Sequence, residues 1–82
     1  MKFPTVNVNG TAREDLLDGY MSAKRSLTQA IRDLQEIAPH GRDFQYPGGE
    51  VDLRIAIEEH AKRLVAVRLV LIEIDQLAEH VV

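Results

Sequence analysis

The chain has no cysteine and no tryptophan, and only five glycines and three prolines among its 82 residues. The absence of cysteine excludes a disulfide framework, a thiolate metal site and a cysteine nucleophile. Aromatic residues make up 5%, charged residues 28% and hydrophobic residues 45%, a composition that differs from that of disordered or fibrous chains. A small globular helical domain is therefore the expected class.

Positive charge is also scarce, because ten Lys and Arg face 13 Asp and Glu, giving a net charge of −3. Such a balance argues against general binding to DNA, RNA or anionic lipid. No apolar run approaches the ~18–20 residues of a membrane span, and the N-terminus lacks the apolar core of a signal peptide. We therefore expect a cytoplasmic protein without membrane contact.

Apolar residues are spaced alternately by four and three residues in two long segments, Leu16 to Ile37 and Leu53 to Val81. This spacing places an apolar stripe along each helix and suits packing at roughly 20° between helix axes. Residues 64–74 are also prone to β structure, but the helical spacing runs through them without interruption. The sequence predicts an all-α antiparallel two-helix hairpin with a short extended N-terminal arm.

The predicted single domain, 1–82, consists of an arm over 1–10, a helix over about 11–38, a loop over about 39–49 and a helix over about 50–80, with bounds uncertain by ~2–4 residues. Thr11 and Glu14 fit a capping box at the start of the first helix. Pro39 cannot continue that helix. Residues 3–9 alternate in polarity, which is typical of an extended segment.

Folding the hairpin about Phe44 determines which residues of the two helices lie level. His60 is then level with Thr28 and Gln29, one of which is its expected hydrogen-bond partner. Arg68 lies further along the second helix, where an ion pair with Asp18 and an anion-binding role at a subunit interface are the two interpretations.

The second helix is apolar almost all round over residues 64–74, which is more than a two-helix hairpin covers. Each large apolar side chain left in water forfeits about 1.5–3 kcal/mol. We therefore expect the hairpin to associate into a homo-oligomeric helical bundle.

The candidate ligand-binding residues form two groups and one isolated position: Asn9, Gly10 and Thr11; His40, Arg42, Asp43, Phe44 and Tyr46; and Arg68. In the loop, an arginine fork suits phosphate or carboxylate, and aromatic rings suit stacking on a base. The alternative is that the aromatic rings plug the end of the bundle. At the first helix start, free amides suit an anion, whereas plain capping by the threonine is the alternative. An oligomer would bring both groups into one pocket between subunits.

Catalytic and metal motifs are missing. His40, His60 and His80 lie far apart, and none has a second histidine three or four residues away. No phosphate-binding loop or nucleophile–base arrangement occurs either. We therefore expect neither an enzyme nor a metal or cofactor site.

Two short motifs resemble those of small phage and prophage proteins that form helical hairpins. The first runs from Pro4 to Thr11 and reads Pro-Thr-x-x-x-Asn-Gly-Thr, and the second is Ala-Pro-His-Gly-Arg-Asp over residues 38–43. The chain departs from the second motif at His40, where asparagine is usual, and at Phe44 to Tyr46, where adjacent tyrosines are usual. The resemblance implies a phage origin and action in the cytoplasm of a bacterial host, with no specific activity.

Small oligomeric phage proteins that sequester nucleotide immune signals supply an analogy of size and origin. By that analogy, the predicted function is an anti-defence sponge that holds a cyclic or ADP-ribose-type nucleotide in pockets between subunits. Arg42 would meet phosphate, Phe44 or Tyr46 would stack on the base, and residues 9–11 would supply amides. The alternative is a helical interaction or virion assembly module that binds a host or phage protein.

Overall fold

The computed structural model describes residues 1–5 and 10–81, and the side chains of residues 1–5 and 12–81 among them. Helix α1 spans Gly10–Glu36, a short 3-10 helix spans Gly41–Phe44, and helix α2 spans Gly49–Val81. The described ranges contain no strand. The predicted all-α fold with a packed helix pair is confirmed.

The two long helices run antiparallel, because the start of α1 meets the end of α2. The Nε atom of Arg13 donates to the carbonyl oxygen of Val81 at 2.8 Å, and the His60 ring lies 2.6 Å from the carbonyl oxygen of Leu34. The β-prone segment 64–74 is part of α2. Its helical spacing therefore prevails over its strand propensity.

Helix α1 ends at Glu36, somewhat before the predicted bound. The Ala38 amide donates to the carbonyl of Gln35 at 3.3 Å, which is the tighter pattern of a helix end. Pro39 then has no amide hydrogen to offer. The capping box depends on the side chain of Thr11, which lies outside the described residues, as do positions 6–9 of the predicted extended arm.

The register of the hairpin differs from the prediction. The contacts of Arg13 with Val81 and of His60 with Leu34 are both centred on Pro47 instead of Phe44. The 3-10 helix is the cause, because it lengthens the first half of the hairpin before the chain turns. The prediction that His60 forms a hydrogen bond with Thr28 or Gln29 is therefore wrong.

The same shift separates Arg68 from its expected partner. Within the described ranges, an ion pair joins Lys24 of α1 to Asp75 of α2 at 2.6 Å, and none joins Arg68 to Asp18. The predicted pairing of Arg68 with Asp18 is therefore wrong, and the side chain of Arg68 is exposed.

The packed interior is a thin seam between two rods. The molecule measures 64 × 20 × 11 Å, and the smallest dimension is about the diameter of one helix. In the described part of α2 the buried residues are Gly49, His60, Ala78 and Val81. The other apolar residues of the stripe from Leu53 to Val81 are half-buried, except Ile57, which is 50% exposed, so much of α2 faces away from any core.

Candidate functional site

The loop between the helices is shaped by His40. Its backbone is extended, with φ −123° and ψ 143°, and its Nδ1 atom accepts a hydrogen bond from the Arg42 amide at 3.2 Å. The Asp43 amide donates to the His40 carbonyl at 3.0 Å. His40 therefore caps the 3-10 helix, which occupies the ring nitrogen nearest the backbone.

The turn that follows is closed by backbone contacts. The Tyr46 amide donates to the Phe44 carbonyl at 3.0 Å, and the Gly49 amide donates to the Tyr46 carbonyl at 2.8 Å. Gly48 has a φ of +85°, which glycine adopts without the strain that a Cβ brings. A Cβ on Gly49 would lie 1.8 Å from the Phe44 carbonyl oxygen, so the backbones approach too closely for any side chain there.

The two loop aromatics lie side by side. The ring centroids of Phe44 and Tyr46 are 6.3 Å apart with planes tilted by 37°. The Tyr46 hydroxyl donates to Oδ2 of Asp52 at 2.7 Å. That hydrogen bond is the main reason why the pKa of Tyr46 is raised above its ordinary value, with desolvation and the negative charge of Asp52 adding to it.

Arg42 and Asp43 are the exposed charged residues of the 3-10 helix. Within the described residues, neither side chain has a hydrogen-bond or ion-pair partner. Of the five loop candidates, His40 and Tyr46 thus bind to the chain itself, Phe44 is half-buried, and the two charged side chains face water. This arrangement resembles a plug with a polar rim more than a preformed pocket.

The other candidate residues do not join the loop within one chain. Asn9 lies outside the described residues, and of Gly10 and Thr11 only the membership of α1 is described. Helix α1 has 27 residues. Its two ends are therefore about 40 Å apart. Arg68 lies on α2, well away from both ends.

Sequence reasoning missed part of the most prominent surface of the molecule. We define the outer row of α2 as the exposed apolar residues Val51 (54%), Ile55 (50%), Val65 (53%), Leu69 (56%) and Ile72 (49%). Steps of three, four and ten residues keep them on one side of the helix, opposite the seam that holds His60. The excess over 64–74 was expected from the sequence, whereas Val51 and Ile55 were not. The sequence signal for these two residues is the four-residue step from Val51 to Ile55 at the start of α2.

Residues 1–5 lie near the C-terminal end of α2, on the same side as the outer row. The ring of Phe3 stacks on that of His80 with centroids 4.6 Å apart and planes at 29°. Met1 and Phe3 remain exposed, and with Gln76 and Glu79 they line a shallow groove. Met1 and Phe3 thus add two exposed apolar side chains at the end of α2.

A second groove lies between the helices. It has a volume of about 280 Å³, its floor includes Leu17, Met21 and Ala78, and the Lys24–Asp75 ion pair crosses it. In the described part of the chain, no group of three or more His, Cys, Asp or Glu side chains converges on a point that would suit a metal ion. The described helices include none that is apolar enough over sufficient length to cross a membrane.

Comparison of the chain with protein-family models, curated proteins and solved structures gave no match. The described side chains that carry chemistry are either bound to their neighbours or dispersed over the surface, whereas the outer row places five exposed apolar side chains on one side of α2.

Proposed function

We propose that the protein is a helical association module, which acts by binding rather than by catalysis, and that it binds a second copy of itself through the outer row of α2. The observation that carries this proposal is the exposure of Val65, Leu69 and Ile72, each about half accessible on a helix of 33 residues. Exposed apolar surface of this extent usually marks an interaction site.

The accessible surface area of the chain is large enough to include a full protein–protein interface. It amounts to 6261 Å² for a mass of 9.2 kDa. A compact monomer of that mass exposes about 4,900 Å². The excess is larger than the ~800 Å² that each partner contributes to a standard interface.

The dimensions lead to the same conclusion. The radius of gyration is 18.6 Å. A compact domain of this length has a radius of gyration of about 12 Å. A layer one helix thick has no interior of its own, and a partner along the outer row, opposite the seam with α1, gives α2 a packed neighbour on both sides.

The energy available is sufficient for a stable complex. Burying the exposed half of the five outer-row side chains is worth on the order of 4–8 kcal/mol before the entropic cost of association is subtracted. A second copy supplies an equal and matching row without requiring any other gene product, which is why homo-oligomers so often have isologous interfaces.

Light scattering on the eluting protein over a range of concentrations tests the proposal. The native chain is expected to have the mass of two or more copies, and Leu69→Asp is expected to elute as a single chain with unchanged helical circular dichroism. Ile37→Asp is the matched control, because Ile37 is even more exposed, at 69%, but lies beyond the end of α1 and outside the outer row. A native chain that remains a single copy at high concentration would overturn the proposal.

Sequestration of a nucleotide between subunits is a second proposal, supported by the guanidinium of Arg42, which is exposed and has no partner among the described residues, in a loop that also carries Phe44. Titration calorimetry against cyclic nucleotides and ADP-ribose compounds tests it. Binding that is lost in Arg42→Ala and retained in Arg63→Ala would support it, and no heat with any compound would remove it. The phage origin and the bacterial cytoplasm stay predictions from the sequence.

A further inference from the structure

We infer that the second copy lies antiparallel along α2, with the two-fold axis passing beside Val67 and Arg68, so that the N-terminal arm of each copy covers Val51 and Ile55 of the other. This inference rests on the proposed self-association and adds to it the orientation, the register and the residues that each copy contributes.

The outer side of α2 has a pattern that changes along its length. Starting from the N-terminal end it carries Val51 and Ile55, then the charged Glu58 and Lys62, and then the central apolar residues. Steps of three and four residues connect them all, so they lie along one line of the helix. Gln76 follows, and the line ends at His80 with Phe3 stacked on it.

An antiparallel pairing about the centre of this line places apolar residues of one copy against apolar residues of the other. Val65 and Leu69 then meet the same two residues of the other copy in the middle. A parallel pairing also aligns the apolar centres, but it places Lys62 against Lys62 of the partner subunit and Glu58 against Glu58 of the partner subunit. Like charges so placed oppose association, so the antiparallel orientation is favoured.

Charge complementarity fixes the register. Lys62 and Glu73 are separated by about three turns, so they lie on the same flank of the helix. In an antiparallel pair related by a two-fold axis, the same flanks of the two helices face each other. Lys62 then faces Glu73 of the partner subunit when the axis passes beside Val67, and symmetry makes this contact twice.

The opposite flank gives a smaller contribution of mixed sign. There the register places Arg54 near Glu79 of the partner subunit, which is favourable. It also brings the two copies of Arg68 near the axis, which is unfavourable. These side chains are exposed, so water and salt screen both effects and the central apolar contact decides the outcome.

The ends of the line account for four further exposed apolar groups. In this register Ile55 lies level with His80 of the partner subunit, where that copy's Phe3 is stacked. Met1, Phe3, Val51 and Ile55 are all exposed in the single chain. The pairing buries the arm of one copy against the N-terminal end of α2 in the other, so each copy completes the surface of its partner.

A charge-reversal cycle followed by sedimentation equilibrium tests the register. Lys62→Glu and Glu73→Lys are each expected to weaken the dimer about tenfold, because each change turns both symmetric attractions into repulsions. The double variant exchanges the charges and is expected to restore the native dissociation constant within about twofold. The two positions are too far apart in one helix for the rescue to arise within a chain.

Arg63→Glu is the matched control, because it reverses a neighbouring exposed charge on the side of α2 away from the outer row, and it is expected to leave the dimer unchanged. Failure of the double variant to restore a dimer that both single changes weaken would overturn the register.

A distance measurement tests the orientation independently. The chain has no cysteine, so Glu59→Cys allows a single spin label per copy outside the outer row. Antiparallel pairing about Val67 predicts a label-to-label distance of about 30 Å, and parallel pairing predicts about 15 Å. A dimer with the short distance overturns this inference and leaves the proposed association standing, whereas a single-copy mass overturns both.

Discussion

The Nε2 atom of His60 on α2 lies 2.6 Å from the carbonyl oxygen of Leu34, just before the end of α1. The Ala38 amide, the next donor in an α-helical pattern, donates to Gln35 instead. A carbonyl only accepts, so Nε2 carries the hydrogen. The ring is only 4% exposed, and it thus satisfies a helix-terminal carbonyl from the facing helix.

Two substitutions of His60 distinguish the contribution of the hydrogen bond to stability from the contribution of side-chain packing. His60→Leu fills similar space without a donor and is expected to lower the free energy of unfolding by about 1–3 kcal/mol. His60→Gln keeps an N–H donor on a longer side chain and is expected to lose less. Urea denaturation followed by circular dichroism at one fixed protein concentration measures both. Equal losses in the two variants would mean that the hydrogen bond is not the cause.

The loop glycines have unequal roles, and substitution by alanine distinguishes them. Gly49→Ala places a Cβ 1.8 Å from the Phe44 carbonyl oxygen, so we expect the turn to distort and the chain to be strongly destabilised. Gly48→Ala meets nothing within 4 Å but keeps a φ of +85°, and we expect a loss of about 1–2 kcal/mol from the backbone alone.

Substitution of Gly19 is expected to change the stability in the opposite direction, so it serves as the control for these two variants. It lies inside α1, and a Cβ at this position would have no neighbour within 4 Å. Gly19→Ala is therefore expected to stabilise the protein by about 0.5–1 kcal/mol, because alanine favours the helix. Thermal unfolding of the three variants should rank them as Gly19→Ala, Gly48→Ala and Gly49→Ala from most to least stable, and any other order contradicts the geometry.

The helices and the turn follow from local signals in the sequence, whereas the register does not. The four-and-three spacing predicts both long helices, and Pro39 with Pro47 and Gly48 predicts the break between them. The spacing repeats along each helix, so sliding one helix past the other by a turn preserves the match of apolar stripes. The shift follows from the 3-10 helix, which begins with one hydrogen bond to the ring of His40 and one to its carbonyl oxygen.

The candidate site likewise has one part that the sequence predicts and one part that it does not. Arg42 and Asp43 are exposed, as expected of binding residues, but the roles of His40 and Tyr46 within the loop depend on contacts that no spacing rule encodes. The stacking of Phe3 on His80 joins residues from opposite ends of the sequence. Such a contact becomes visible only once the register is known.

The Lys24–Asp75 ion pair is expected to contribute little despite its short distance. Its N–O distance is 2.6 Å, but the side chains keep 31% and 42% of their surface in contact with solvent. A double-mutant cycle with Lys24→Met and Asp75→Asn should give a coupling below about 1 kcal/mol that falls as salt is added. A coupling larger than the loss in His60→Leu would contradict this ranking of the two interhelix contacts.

The hydrogen bond from Tyr46 to Asp52 makes a prediction about pH. The pKa of Tyr46 is raised above its ordinary value, chiefly because its hydroxyl donates to the Asp52 carboxylate. The folded chain thus holds the phenolic proton more tightly than the unfolded chain does. Its contribution to stability is complete below the unfolded-state pKa and is lost as the pH rises through the higher folded-state pKa.

Asp52→Asn removes the negative charge and the strongest acceptor, so the pKa of Tyr46 is expected to fall back toward its ordinary value. Absorbance titration of the tyrosinate band measures this in a Tyr20→Phe background, where Tyr46 is the one tyrosine left. Asp43→Asn is the matched control, because Asp43 lies in the same loop without bonding the phenol. An equal fall in both variants would show that the general negative charge of the loop, and not the hydrogen bond, raises the pKa.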